Sequence, residues 1–171
     1  ALASSRGDSR LSWIAGGDFE STEGYLKETQ EFPTEGSAAL QAQIPVGKHY
    51  DFTVASTLIS PYALLKYRVT DADLLSFGVR YEHHKYDYEN RMLDGRTKDD
   101  GTPCGFGGCR FTRPADRSDT YENVSAQIGW IHDFDSGRQV YVNLAQAFRA
   151  PETNEVYRLQ NNQNVGDLDS E

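Results

Sequence analysis

The stretch "YVNLAQAFRAPETNEVYRL", Tyr141–Leu159, opens as a strand and then stops being one. With Val140 just ahead of it, Val142, Leu144 and Phe148 fall on one parity, and Tyr141, Asn143, Ala145 and Arg149 on the other. A period of two marks a strand with one apolar face and one wet face. Pro151 has no amide hydrogen to give to a ladder, so pairing is predicted to end or bulge there, with Arg149 and Glu152 near the rim of a sheet.

The same period recurs in four earlier segments. Leu11, Trp13, Ala15, Gly17 and Phe19 oppose Ser12, Ile14, Gly16, Asp18 and Glu20. Ala63, Leu65, Tyr67 and Val69 oppose Tyr62, Leu64, Lys66 and Arg68, and Leu75, Phe77, Val79 and Tyr81 oppose Ser76, Gly78, Arg80 and Glu82. Val124, Ala126, Ile128, Trp130 and Phe134 oppose Ser125, Gln127, Gly129 and Asp133. Links between the segments alternate in length. "VTDADL" (Val69–Leu74) and "DFDSGRQ" (Asp133–Gln139) carry the Asp, Ser and Gly of tight turns. The links from Tyr25 to Phe52 and from Asn90 to Thr120 are long and polar. Antiparallel strands then gather the tight turns at one end and the long loops at the other. The predicted fold class is all-β and antiparallel, either a transmembrane barrel wall or a two-sheet sandwich. "LSFGVRYEHHKYDYE" (Leu75–Glu89) is long for a sandwich strand. Tyr81, Tyr86 and Tyr88 at one strand end, with Trp130 and Phe134 at the other, suggest the aromatic girdles of a barrel.

Composition removes several classes. Twenty-six acidic against 17 basic residues give a formal charge of -9, which disfavours nucleic acid. No apolar run reaches the roughly 20 residues of a membrane helix, whereas a barrel crosses on strands of about 10. The opening "ALASSRGDSRLSW" has no basic start followed by an apolar core, so it reads as a trimmed or internal beginning. Its "RGD", Arg6–Asp8, reads as a turn. No nucleophile, base and orienting acid stand at suggestive positions, and no enzyme is expected.

"YVNLAQAFRAPETNEVYRL" resembles a barrel segment of TonB-dependent outer-membrane receptors, in which a strand of small and polar residues runs into Phe-Arg-Ala-Pro and an acidic residue, here Phe148, Arg149, Ala150, Pro151 and Glu152. "LLSFGVRYEHHKYDYEN" (Leu74–Asn90) is similar to another strand of that family, and "SPYALLKYRVTDADLLSFGVRY" (Ser60–Tyr81) to its pairs of long strands around a periplasmic turn. "VGDLDSE" (Val165–Glu171) resembles the beginning of its next strand. The resemblance implies part of a 22-strand-type barrel, residues 1–171, without the plug domain and the remaining strands. It implies active uptake of a scarce solute, above all a ferric siderophore or other iron complex, across the outer membrane of a Gram-negative cell. The implied partners are the TonB complex acting through the plug, the solute, and outer-membrane lipid and lipopolysaccharide. A monomeric barrel without cofactor or nucleic acid is expected. The rival readings are a passive porin-like channel and a secreted β-rich binding or adhesion module.

Within that resemblance, Lys66, Arg68, Arg80 and Arg149 are candidates to face the lumen and meet carboxylates or carbonyls of the plug. Cys104 and Cys109, in "CGFGGC", are the only cysteines, and an oxidising envelope predicts a small disulfide between them. Zinc would need two further ligands, and His83 and His84 sit on opposite faces of a neighbouring strand. The short bridge shapes a tip that presents Phe106, a candidate solute contact in an extracellular loop. "HHKYDYE" (His83–Glu89) reads as structural, and Asp167, Asp169 and Glu171 lack the frame that calcium needs.

Overall fold

The computed structural model describes residues 2–4, 10–135, 137–161 and 163–170. Arg6–Asp8 and Glu171 lie outside them. The strands are β1 (Leu2–Ser4), β2 (Leu11–Gln30), β3 (Gly47–Arg68), β4 (Asp73–Asn90), β5 (Phe111–Thr112), β6 (Arg117–Phe134), β7 (Arg138–Gln146) and β8 (Leu159–Gln160). Two short helices, α1 (Ala38–Gln43) and α2 (Thr153–Tyr157), and a 3-10 turn at Val165–Asp167 complete the elements. Six strands make one sheet in the order β1-β2-β3-β4-β6-β7. Every pairing in it among the described residues is antiparallel, and the sheet is open.

Register lines the apolar parities up. Leu11, Tyr67, Leu75, Trp130 and Val142 form one row, and Trp13, Leu65, Phe77, Ile128 and Leu144 the next. Ala15, Ala63, Val79 and Ala126 follow, then Phe19 beside Ile59. Phe77, Val79, Val124, Ile128, Val140 and Val142 all stay exposed. In water that uncovered face would be an aggregation surface, and in a bilayer it is the lipid contact.

The opposite face is polar and tightly fitted. A Cβ on Gly129 would lie 2.5 Å from both Asn143 Oδ1 and Ser76 Oγ, so a larger residue there would push those side chains aside.

The long strands overshoot the membrane. Strands β2, β3, β4 and β6 have 20, 22, 18 and 18 residues, whereas about 9–11 tilted residues cross the hydrocarbon. The surplus lies at the loop end, where the outward rows turn polar at Ser21–Thr57–Lys85–Thr120. The expected loop from Tyr25 to Phe52 is therefore shorter, residues 31–46, because β2 and β3 continue into it. Both faces of those extensions meet water or protein, so the alternation that betrays a strand in lipid fades there.

At the opposite end, the Thr70 hydroxyl accepts from the Ala72 and Asp73 amides and donates to Asp73 Oδ2 at 2.6 Å, which closes the β3–β4 turn. Gly137, at φ 73, closes the β6–β7 turn by donating to Phe134 O. Outward at this end, the Trp130 indole donates to Asp73 Oδ1 at 3.1 Å.

Three expectations are corrected. Tyr86 and Tyr88 are not girdle residues: they share the parity of Arg80, point to the polar face, and are buried to 4% and 3% exposure. Tyr81, on the other parity, faces outward with the apolar rows. β7 ends at Gln146, ahead of Pro151, because the chain already turns inward at Ala147. Val165–Asp167 form a 3-10 turn, not the start of a strand, since the Val165 side chain is drawn into the core.

Val79 stands in the central outward row. Val79→Arg in the full-length protein should cost about 2–4 kcal/mol of unfolding free energy in lipid vesicles, against much less for Ser125→Arg on the polar face. Denaturant titration of the vesicle-embedded protein measures both.

Candidate functional site

The core of the molecule lies on the polar face, at the loop end. Tyr50, Phe52 and Val54 of β3, Tyr86 and Tyr88 of β4, and Tyr121 of β6 are buried there. What covers them is the continuation of the opening stretch. From Ala147 the chain leaves the ladder and runs as a strap across the face, with Val156 and Tyr157 fully buried beneath it. The Tyr157 ring stacks on Tyr88 at 4.5 Å between centroids and meets Phe52 and Tyr86 at 6.4 and 6.3 Å.

The wall holds the strap through its main chain. The Tyr86 hydroxyl donates to Pro151 O at 2.9 Å, and the Tyr50 hydroxyl donates to Leu159 O. The strap answers with the Tyr157 hydroxyl, which donates to Asp119 Oδ2 at 2.8 Å, and with Arg158, which reaches Glu28 at 2.8 Å. Burial and the Asp119 carboxylate both push the Tyr157 phenol well above the ordinary tyrosine range. Helix α2 starts where it does because Glu152 N donates to Glu155 Oε2 at 2.7 Å just after Pro151. Arg149 bridges to Glu152 and Glu155 at 3.2 and 3.5 Å, and a backbone hydrogen bond at Glu152 and that guanidinium hold the Glu155 carboxyl below its usual range.

The other two loops are tied to the strap. β5, in the loop 91–116, pairs with β8 of the strap, and Asn161 N donates to Arg110 O at 2.6 Å. Arg110 N donates to Gln43 O of the loop 31–46 at 2.9 Å. Inside the loop 91–116, Arg113 is 1% exposed and spends its guanidinium on carbonyls: Leu93 O at 2.6 Å, His49 O at 3.2 Å and Thr97 O at 2.7 Å. It lies 5.3 Å from the centre of the Phe111 ring. Burial draws its pKa below the usual arginine value. Cys104 and Cys109 are joined by a disulfide with Cα atoms 4.7 Å apart, and Phe106 between them is fully exposed.

The candidate cations are not brought together. Lys66 pairs across to Ser12 and Ser76, and Arg80 to Tyr62 and Ser125, all on the polar face. Arg68 ends β3 at the tight turn. Arg80 is met by Glu82 at 2.8 Å and Asp18 at 3.5 Å. Arg149 lies outside the sheet, so strand parity no longer sets where it points. His83 reaches Glu122 at 3.2 Å on one face, while His84 reaches Ser56 at 2.8 Å on the other. Sequence reasoning missed Arg113 and the tyrosine set. Parity alone places Tyr86 and Tyr88 beside Arg80, but nothing local announces a covering strap.

A pocket of about 390 Å³ is lined by residues of the strap and of the turn that follows it, from Arg149 to Asp169. The chain matches the family model described as "TonB dependent receptor-like, beta-barrel" over residues 3–171. No curated protein and no solved structure matches it.

Two outcomes are expected. Tyr157→Ala should destabilise the strap by about 3–5 kcal/mol and Tyr157→Phe by about 1–3 kcal/mol, read as faster amide exchange at residues 153–160. Because the folded phenol titrates above its unfolded value, its contribution is complete below about pH 10 and is lost as pH rises beyond it. Tyr157→Phe should therefore weaken that alkaline dependence. Separately, thiol titration under denaturing, non-reducing conditions should find neither Cys104 nor Cys109 free.

Proposed function

The chain belongs to the TonB-dependent receptor-like β-barrel family, outer-membrane proteins of TonB-dependent transport in Gram-negative bacteria, and we propose that it forms the solute-binding wall of an active importer for an iron complex, most simply a ferric siderophore. The observation that carries this reading is the inward strap. At the loop end the chain roofs the polar face and joins three loops into one body. A rigid vestibule keeps the ordering cost of capturing a dilute solute low.

In this reading the remaining strands close the barrel and a plug fills its lumen. Lys66 and Arg68, which have no ion pair among the described residues, are the plug-facing cations. Arg80 and Arg149 are already matched by carboxylates of this chain and serve the wall and the strap. Phe106, at the disulfide-closed tip, contacts incoming solute. The outward apolar rows and Trp130 meet lipid, and the polar rows beyond them meet the lipopolysaccharide layer.

In iron-starved cells carrying the full-length receptor, loss of TonB should cut uptake of a radio-iron chelate more than tenfold. The receptor in a planar bilayer should show no steady conductance. TonB-independent uptake together with an open channel would establish the porin reading instead.

A further inference from the structure

The pocket lined by the strap has a charge pattern that reaches past general uptake to the kind of solute admitted. Its volume, about 390 Å³, suits a small solute or one arm of a larger one. Two cations line it, Arg149 and Arg158. Both are already matched by carboxylates of this chain. Arg149 is held by Glu152 and Glu155 at 3.2 and 3.5 Å, and Arg158 by Glu28 at 2.8 Å. Asp167 and Asp169 add two carboxylates to the lining, so an anionic solute would have to displace one glutamate and approach others.

The remaining polar surface is side-chain amide. Asn154, on the exposed side of α2, stands with Gln160, Gln163 and Asn164 around the same space, and Leu159 and Leu168 supply apolar contact. Gln163 Oε1 accepts from Gln160 N and the Asn164 amide donates to Asp167, so Asn154 and Gln160 are the amides that offer donors and acceptors of either sense to a solute.

We propose that this pocket seats an uncharged or cationic solute with a periphery of amide and hydroxyl groups and rejects anionic ones. Among iron complexes this selects a neutral ferric trihydroxamate over a trianionic ferric triscatecholate. The identity of the metal rests on the uptake reading above. The charge selection rests on the pocket alone.

The test is equilibrium binding to the full-length receptor in vesicles with three probes: a neutral ferric trihydroxamate, a trianionic ferric triscatecholate and an uncharged linear oligosaccharide. The neutral chelate should bind at least a hundredfold more tightly than the trianionic one. Asn154→Ala should weaken it about tenfold, and Asp169→Lys should raise affinity for the trianionic chelate about tenfold. If the oligosaccharide binds in place of both chelates with the same loss in Asn154→Ala, the charge selection stands and the iron reading falls. Tighter binding of the trianionic chelate overturns the charge selection and leaves the iron reading standing. Binding of none of the three, or binding that neither variant changes, also overturns it.

Discussion

In hydrocarbon no water is present to satisfy an open N–H or C=O, so the backbone must find every partner within the protein. An antiparallel ladder does this for strands of any length, and here it holds β2, β3, β4 and β6 in an almost unbroken register. Once the ladder is set, the two-residue period assigns each side chain to one of two solvents. Leu75, Phe77 and Val79 go outward together, and Ser76, Gly78 and Arg80 inward together, because none can move without moving all. The lipid face, the polar face and the position of the core follow from that coupling.

The strap shows what happens where the ladder is abandoned. Beyond Gln146 the backbone must obtain its partners one at a time, and the wall supplies them as phenols: Tyr86 to Pro151 O and Tyr50 to Leu159 O. Tyrosine suits the task because its ring buries apolar area while its hydroxyl reaches a carbonyl. The same surface thus drives the packing of Tyr157 and satisfies the chain on either side of it. Arg113 does comparable work for the loop 91–116, replacing a missing ladder with several carbonyl contacts from one buried guanidinium.

These attachments give the loop end a mechanical unity that separate loops would lack. Strap, disulfide loop and the loop around α1 are linked through β5, β8, Arg110 and Gln43, so a load on one is carried by all three. Arg149 is paired within the strap and Arg158 with Glu28 of the wall, so both arginines are matched by carboxylates of this chain. The surface offered to a visitor is consequently amide and carboxylate, and its chemistry is decided by pairings made within the chain.

The antiparallel all-β class, the lipid-facing parity, the alternation of tight turns and long loops and the family were all legible in the residues, because each is written at a spacing of one or two positions or in a contiguous motif. Pro151 announced that the strand could not continue. It could not announce where the chain went next. That Tyr86 and Tyr88 lie under Tyr157, that Arg158 meets Glu28, and that β2 and β3 run on past Tyr25 and Phe52 were decided only by the folded chain. These contacts join residues as many as 130 positions apart, beyond the lipid zone, where both faces of a strand are wet or covered and the two-residue code carries no information.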